Sequence, residues 1–233
     1  MVVPIILMSL GGLSLAWFLF EKIKAYSIKA VCIKAFTSLL FIGVGIYGLF
    51  NSHLRFLGIF ILIGLIFGLA GDILLDLKYV YREKDYPFTL AGFIAFGIGH
   101  IFYITGMLLE FFHDQNALYI IIPFAVGLLI ALGTILTEKI LKTNYGRLKL
   151  PAFLYAIALF SMVSISFSMW MMNGFHNNGL LMVFIGGILF AVSDLILNMT
   201  YFAEGHEKPF DIISNSITYY AAQFIIALAI LFL

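Results

Sequence analysis

Charge is scarce in this chain. Only 11% of its 233 residues are charged, 13 basic against 12 acidic, for a net charge of +1. Soluble domains carry about 25%, and a water-facing surface cannot be covered with so few charges. That excludes a soluble enzyme and a disordered chain. The near-neutral balance gives no electrostatic case for a nucleic-acid partner. Cysteine is scarcer still. Cys32 stands alone in an apolar run, so no internal disulfide and no cysteine metal cluster is possible. Of the five histidines, His53, His113, His176 and His206 fall between apolar runs, leaving a His-rich intramembrane metal site without ligands. No HExxH, GxSxG or phosphate-cradling glycine loop occurs, and neither a metal nor a cofactor is expected.

What remains is apolar: 63% of the residues, with 25 Phe, 21 Gly and a mean hydropathy of +1.10. The expected fold is all-α, a polytopic membrane protein with eight transmembrane helices in one bundle. It is read as a single integral membrane domain over residues 1–233. A span needs about 20 apolar residues, and eight such runs occur: 3–20, 30–50, 56–77, 88–111, 117–137, 150–172, 179–200 and 210–233. The first has no basic residue before it and no clear cleavage site, so it reads as a retained span. Pro87, Pro151 and Pro209 sit at span starts, where a missing N–H costs little. The first, third, fifth and seventh connections hold eleven Lys and Arg, whereas the even connections and both termini hold only Arg55. The positive-inside rule then places the odd connections in the cytoplasm and both termini outside.

An internal echo links span three, Gly71-Asp72-Ile73-Leu74-Leu75-Asp76, with span seven, Ser193-Asp194-Leu195-Ile196-Leu197-Asn198. Parallel repeats of four helices would produce it.

Ionisable residues inside spans are costly and mark function by default. Lys34, Asp72, Asp76, His100 and Asp194 meet that description. Glu110 and Asp211 read as solvated helix ends. Asp72 and Asp194 both lie a few residues from the cytoplasmic ends of inward-running spans. Lys34 enters from the same side, and His100 lies deeper. Helical spacing groups these residues into faces. Asp72 shares one with Asp76. Phe93, Phe96, His100 and Tyr103 form a stripe, as do Phe190, Asp194 and Asn198. Asn215, Tyr219 and Gln223 form another, with Tyr220 beside it. A polar cavity with an apolar extension follows, a shape suited to an amphiphile. Each member also has a plainer reading. Lys34 can snorkel to the interface, Asp76 can be a solvated helix end, His100 can pack against a carbonyl, and the aromatic stripes can be core.

The ordered set of motifs resembles the YhhN family of membrane proteins, which includes the animal lysoplasmalogenases. The residues carrying the resemblance are 71–75 on span three, 92–96 followed by His100 and Tyr103, and 187–194 on span seven. Lys34, Tyr155, Tyr219, Tyr220 and Gln223 also fit. Lys34 is followed by Ala35 where many relatives are expected to carry Pro, a departure local to span two. The resemblance covers nearly the whole chain and agrees with eight spans. It implies hydrolysis of the vinyl ether bond of a lysoplasmalogen to a fatty aldehyde and a glycerophospho-base, with Asp72 and Asp194 as the catalytic pair. On that reading the lysophospholipid substrate, dissolved in the bilayer, is held by Lys34, Asp76, His100, Tyr103, Tyr155, Asn198, Tyr219, Tyr220 and Gln223.

The chemistry is compatible. Protonation of a vinyl ether at carbon gives an oxocarbenium ion, which adds water and collapses. One protonated carboxyl and one carboxylate suffice, the solution glycosidases use for a similar cation. Which aspartate plays which part is not readable from spacing. Two other classes compete: a proton-coupled transporter or amphiphile binder using the same Asp and Lys groups, and a metal-dependent hydrolase. The absence of clearly broken helices argues against transport, and Lys34 beside the aspartates argues against a metal. Oligomeric state is not legible.

Overall fold

A computed structural model describes residues 2–113, 115–203 and 208–233. His206 lies outside them. Nine α-helices occur among the described residues: α1 (Val2–Lys24), α2 (Ile28–Asn51), α3 (Arg55–Val80), α4 (Asp85–Phe111), α5 (Leu118–Leu136), the four-residue α6 (Glu138–Leu141), α7 (Lys149–Met172), α8 (Asn178–Phe202) and α9 (Pro209–Ala229). All except α6 are long and apolar enough to cross a membrane, and the eight pack in one bundle. The chain is therefore read as a multi-pass membrane protein, its spans helical because a helix satisfies backbone groups internally. At Pro123, which lacks an N–H, the freed Tyr119 carbonyl of α5 accepts instead from Ser168 Oγ of α7 at 2.8 Å.

The helices overrun the expected spans at one end of the bundle. α1 continues through Lys22 and Lys24, and α3 through Lys78. Long basic side chains reach from an apolar segment to the polar boundary, so the backbone stays helical past the last apolar residue. Pro87, Pro151 and Pro209 all fall in the first turn of their helices, where no intrahelical N–H bond is lost. Ser27 and Asn177 cap α2 and α8 through side-chain oxygens that accept from Ala30 and Leu180 N–H.

The basic end is cross-linked. Tyr26 stacks on Tyr79 with ring centres 4.4 Å apart, and the Asn144 N–H donates to the Phe202 carbonyl at 2.7 Å. Between α6 and α7, Glu138 accepts from Lys149 Nζ at 2.5 Å and from the Tyr145 N–H at 3.3 Å. These bonds hold its carboxyl below the usual carboxylate range. At the far end the C-terminal Leu233 carbonyl accepts from the Leu54 N–H at 3.2 Å, and Leu233 abuts Gly179.

Helix neighbours repeat along the chain. In the first half α1 packs on α2, α2 on α3 and α3 on α4; in the second, α5 packs on α7, α7 on α8 and α8 on α9. Across the halves α4 packs on α7 as α2 packs on α9. The closest approaches repeat too. Gly64 lies against the Gly99 carbonyl and the Tyr103 ring of α4, and Gly186 lies against the Ala222 carbonyl and Ile226 of α9. Each glycine stands two turns before its span's aspartate, Asp72 or Asp194. The echo in the sequence thus has a counterpart in packing. Additional contacts of α9 with α1 and α3 break the correspondence.

A Cβ on Gly64 would sit 2.8 Å from the Gly99 carbonyl oxygen, and one on Gly99 would sit 2.9 Å from that of Gly64. Backbone at that distance cannot yield locally. Gly64→Ala and Gly99→Ala are each expected to destabilise the bundle by about 1–3 kcal/mol, read as lowered thermal unfolding in detergent. Gly133→Ala meets nothing within 4 Å and is expected to leave the transition unmoved. Equal transitions for all three would show that α3 and α4 do not cross as described.

Candidate active site

Four charges from three helices meet at the basic end of the bundle. Asp72 and Asp76, one turn apart on α3, face α1 and α2. Lys34 Nζ of α2 lies 3.3 Å from Asp72 Oδ1 and 3.3 Å from Asp76 Oδ1, while Lys22 Nζ of α1 lies 2.8 Å from Asp76 Oδ1. The order is Lys22, Asp76, Lys34, Asp72, two cations alternating with two carboxylates. Burial makes the alternation necessary. Asp72 is 1% exposed, Asp76 5%, and the lysine side chains 12% each. A lone charge removed from water to that degree costs several kcal/mol.

Asp72 has its second oxygen filled as well. Oδ2 accepts from Ser38 Oγ of α2 at 2.6 Å and from the Tyr219 hydroxyl of α9 at 2.8 Å. Gln223, one turn further along α9, donates to the Tyr219 hydroxyl at 2.9 Å. The Tyr220 hydroxyl donates to the Lys34 carbonyl at 3.1 Å. Among the described residues, each hydrogen-bond or ion-pair partner of the Asp72 carboxyl is a donor or a cation, the surroundings that complement a carboxylate.

Asp194 of α8 is set differently. Among the described residues it has no ion-pair partner; it accepts one hydrogen bond, from the Tyr155 hydroxyl of α7. The Tyr155 ring stacks on Phe93 of α4, ring centres 5.5 Å apart, which fixes the hydroxyl. The preceding Ser193 is tied to α9: Asn215 Nδ2 donates to its carbonyl at 2.8 Å and to its Oγ at 2.9 Å.

One cavity takes in both settings. Lys22, Lys34, Asp72, Asp76, Asp194, Tyr155, Tyr219 and Tyr220 all line it. A second, apolar pocket runs between α4, α5, α7 and α8, walled by Ala152, Leu159, Phe160, Ala191, Phe202 and others. The two share Phe93, Tyr155, Asp194, Leu197 and Tyr201. Asp194 therefore stands where a polar chamber gives onto an apolar one.

The residues expected from the sequence divide by depth. Lys34, Asp72, Asp76, Asp194, Tyr155, Tyr219 and Tyr220 line the polar cavity, and Asn198 lines the apolar pocket. His100, Tyr103 and Gln223 line neither. The Phe93-to-Tyr103 stripe runs down almost three turns of α4, and only Phe93 and Phe96 reach the chamber. Below them Tyr103 enters the tight crossing with Gly64. His100 packs on Phe190, ring centres 4.9 Å apart, and is buried with no hydrogen-bond partner at either ring nitrogen among the described residues. Asp76 is buried, so the reading of it as a solvated helix end does not hold. Asp211, also read as a solvated end, lines the polar cavity. In the sequence Lys22 reads as one of the eleven basic residues of the odd connections; in the fold it completes the charge chain. Its one sequence signal is Phe18, a turn earlier, over whose ring it sits at 5.2 Å. Among the described residues no group of three His, Cys, Asp or Glu converges as a metal set.

The alternating charges predict strong coupling. Lys22→Met and Asp76→Asn are each expected to lower stability, and the double variant is expected to lose less than the sum of the two. The interaction energy should fall at about 1–3 kcal/mol in detergent unfolding. Lys34→Met, which leaves Asp72 without a cation and Asp76 with Lys22 alone, is expected to cost about 3–5 kcal/mol. Strict additivity of Lys22 and Asp76 would mean that the pair does not form.

The YhhN family model matches residues 29–230, from the start of α2 to the end of α9. No curated protein and no solved structure matches the chain. The matched stretch contains Asp72, Asp194 and all their hydrogen-bond partners; only Lys22, on α1, falls outside it. The chain belongs to the YhhN family.

Proposed function

We propose that the protein is an intramembrane hydrolase of the lysoplasmalogenase type, adding water across the vinyl ether bond of a lysoplasmalogen to release a fatty aldehyde and a glycerophospho-base such as glycerophosphoethanolamine. One observation carries the reading. Asp194 stands at the junction of the polar cavity and the apolar pocket, with Asp72 in the same polar cavity. In a lysoplasmalogen the vinyl ether is itself the junction between a polar head and an apolar chain. Family membership supports the same class of activity.

The different settings of the aspartates suggest their parts. Asp72, matched by Lys34 and two hydroxyls, is the standing carboxylate. Asp194, without a cation beside it, is the proton donor. The Asp194 carboxyl delivers its proton to the vinyl carbon remote from oxygen, and positive charge develops on the carbon bound to oxygen. The Asp72 carboxylate steadies that cation and takes a proton from the water that adds. The hemiacetal then collapses. Asp72 returns its proton to the departing glycerol oxygen, and the hemiacetal hydroxyl returns one to Asp194. One water is consumed and both carboxyls regain their starting states. Preorganised charge of this kind commonly supplies the largest part of a rate enhancement. Against a carrier reading stand the helices themselves: α3 and α8 run unbroken past their aspartates, whereas carriers commonly unwind helices at the bound ion.

Purified protein in detergent is expected to release aldehyde from lysoplasmalogen. Asp72→Asn and Asp194→Asn are each expected to lower the rate by about 10²–10⁴-fold while leaving a folded protein. Tyr155→Phe, which removes only a hydrogen bond to the donor, is expected to lose about tenfold. Chelator should not lower the parent rate. Near-parent rates in both Asn variants would contradict the mechanism, and loss on chelation would point to a metal enzyme.

The basic end of the bundle is proposed to face the cytoplasm, on the eleven-to-one bias of Lys and Arg. A reporter active only in the cytoplasm, fused at the C-terminus, is expected to stay silent. Strong reporter activity there would reverse the orientation and move the cavity mouth to the outer face.

A further inference from the structure

The polar cavity poses a charge problem for a phospholipid. Its two lysines are matched by Asp72 and Asp76, and Asp194 and Asp211 add further carboxyls. A phosphate placed there meets no surplus of positive charge. Beside it at the basic end lies a second cleft of about 330 Å³, within the range of ligand sites, roughly 300–1,000 Å³. Tyr79, Thr200 and Tyr201 line both spaces, so the two adjoin. The cleft adds Lys78, Arg82 and Asp85.

We propose that this cleft holds the zwitterionic phosphate headgroup of a lysophospholipid, with Arg82 and Lys78 on the phosphate and Asp85 on the headgroup ammonium. The proposal rests on the hydrolase reading for its substrate class and names where that substrate's head is bound. Lys78 Nζ lies over the Tyr201 ring, 3.3 Å from its centre, and 5.0 Å from that of Tyr79. The two rings thus aim its ammonium, and Tyr201 itself lines the chamber containing Asp194. Arg82, in the turn after α3, is exposed and makes no ion pair among the described residues. Its planar guanidinium suits a phosphate in bidentate fashion. Asp85 lies 3.6 Å from Lys78 with its side chain 60% exposed. A site with two cations and one accessible carboxylate complements a phosphate that carries its own amine better than a bare anion. The geometry is consistent along the ligand: head in the basic cleft, glycerol past Tyr79 and Tyr201, vinyl ether at Asp194, chain in the apolar pocket.

The test is binding rather than turnover. Full-length protein in detergent is titrated with lysophosphatidylethanolamine, which carries an ester in place of the vinyl ether, and separately with inorganic phosphate and with a monoacylglycerol. Arg82→Gln, at an exposed position where folding is not at risk, is expected to weaken lysophosphatidylethanolamine about tenfold and to leave monoacylglycerol unchanged. Asp85→Asn is expected to weaken lysophosphatidylethanolamine but not inorganic phosphate. Lys139→Gln, outside the cleft, is the control and should change neither. Unchanged lysophosphatidylethanolamine affinity in Arg82→Gln overturns the proposal. Weakened inorganic phosphate with unchanged lipid also overturns it, and assigns the cleft to free phosphate. Aldehyde release is measured on the same preparations. If the parent releases none yet Arg82→Gln still weakens the lipid, the headgroup site stands and the hydrolase reading falls.

Discussion

Lys34 is the charge on which the site depends. Its ammonium lies between Asp72 and Asp76, at 3.3 Å from each, in a part of the bundle almost closed to water. Two carboxylates on one face of one helix repel each other and lose hydration together. A single cation from α2 offsets both, and Lys22 from α1 supplies the second positive charge that Asp76 needs. The network therefore ties α1, α2 and α3 by charge; the Ser38 hydroxyl of α2 adds to that tie, and the Tyr219 hydroxyl extends it to α9. Since removal of one member strands another, the arrangement specifies how four helices come together as well as what the cavity can do.

The contrast between the two aspartates follows from where the repeat breaks. Asp72 and Asp194 occupy matching places in the two halves, each two turns beyond a glycine that lets the next helix approach. Only the first-half aspartate meets lysines, because only there do α1 and α2 carry them inward. The second half offers Tyr155 and an apolar wall. Two halves with matching helix neighbours thus carry two unlike carboxyls, one matched by charge and one beside hydrocarbon. That pairing of unlike environments separates acid from base among otherwise identical groups.

The eight spans were readable because a bilayer dictates the length and composition of anything that crosses it. Their ends were not, because lysines such as Lys22 and Lys78 extend the helix beyond the apolar run while still reaching the polar boundary. Lys34, Asp72 and Asp194 were legible as site candidates because ionisable residues inside such runs are rare and expensive. Lys22 is not legible for the converse reason: a lysine at a helix end looks like the ordinary positive fringe. Helical stripes showed which residues share a face but not how deep the chamber reaches, so His100, Tyr103 and Gln223 were expected within it and lie below it. Burial of Asp76 and the cavity position of Asp211 depend on which helices are neighbours, and composition does not carry that order.

The central claim is that Asp72 and Asp194 jointly protonate and hydrate a vinyl ether. Hydrolysis of a lysoplasmalogen in deuterated water containing heavy oxygen tests it most directly. Protonation at carbon predicts aldehyde with one solvent deuterium on the carbon next to the carbonyl, heavy oxygen in the carbonyl group, and a glycerophospho-base with neither isotope in its carbon–oxygen framework. Asp194→Asn should abolish that incorporation. Heavy oxygen in the glycerol hydroxyl, or aldehyde formed without deuterium at the adjacent carbon, would contradict the account.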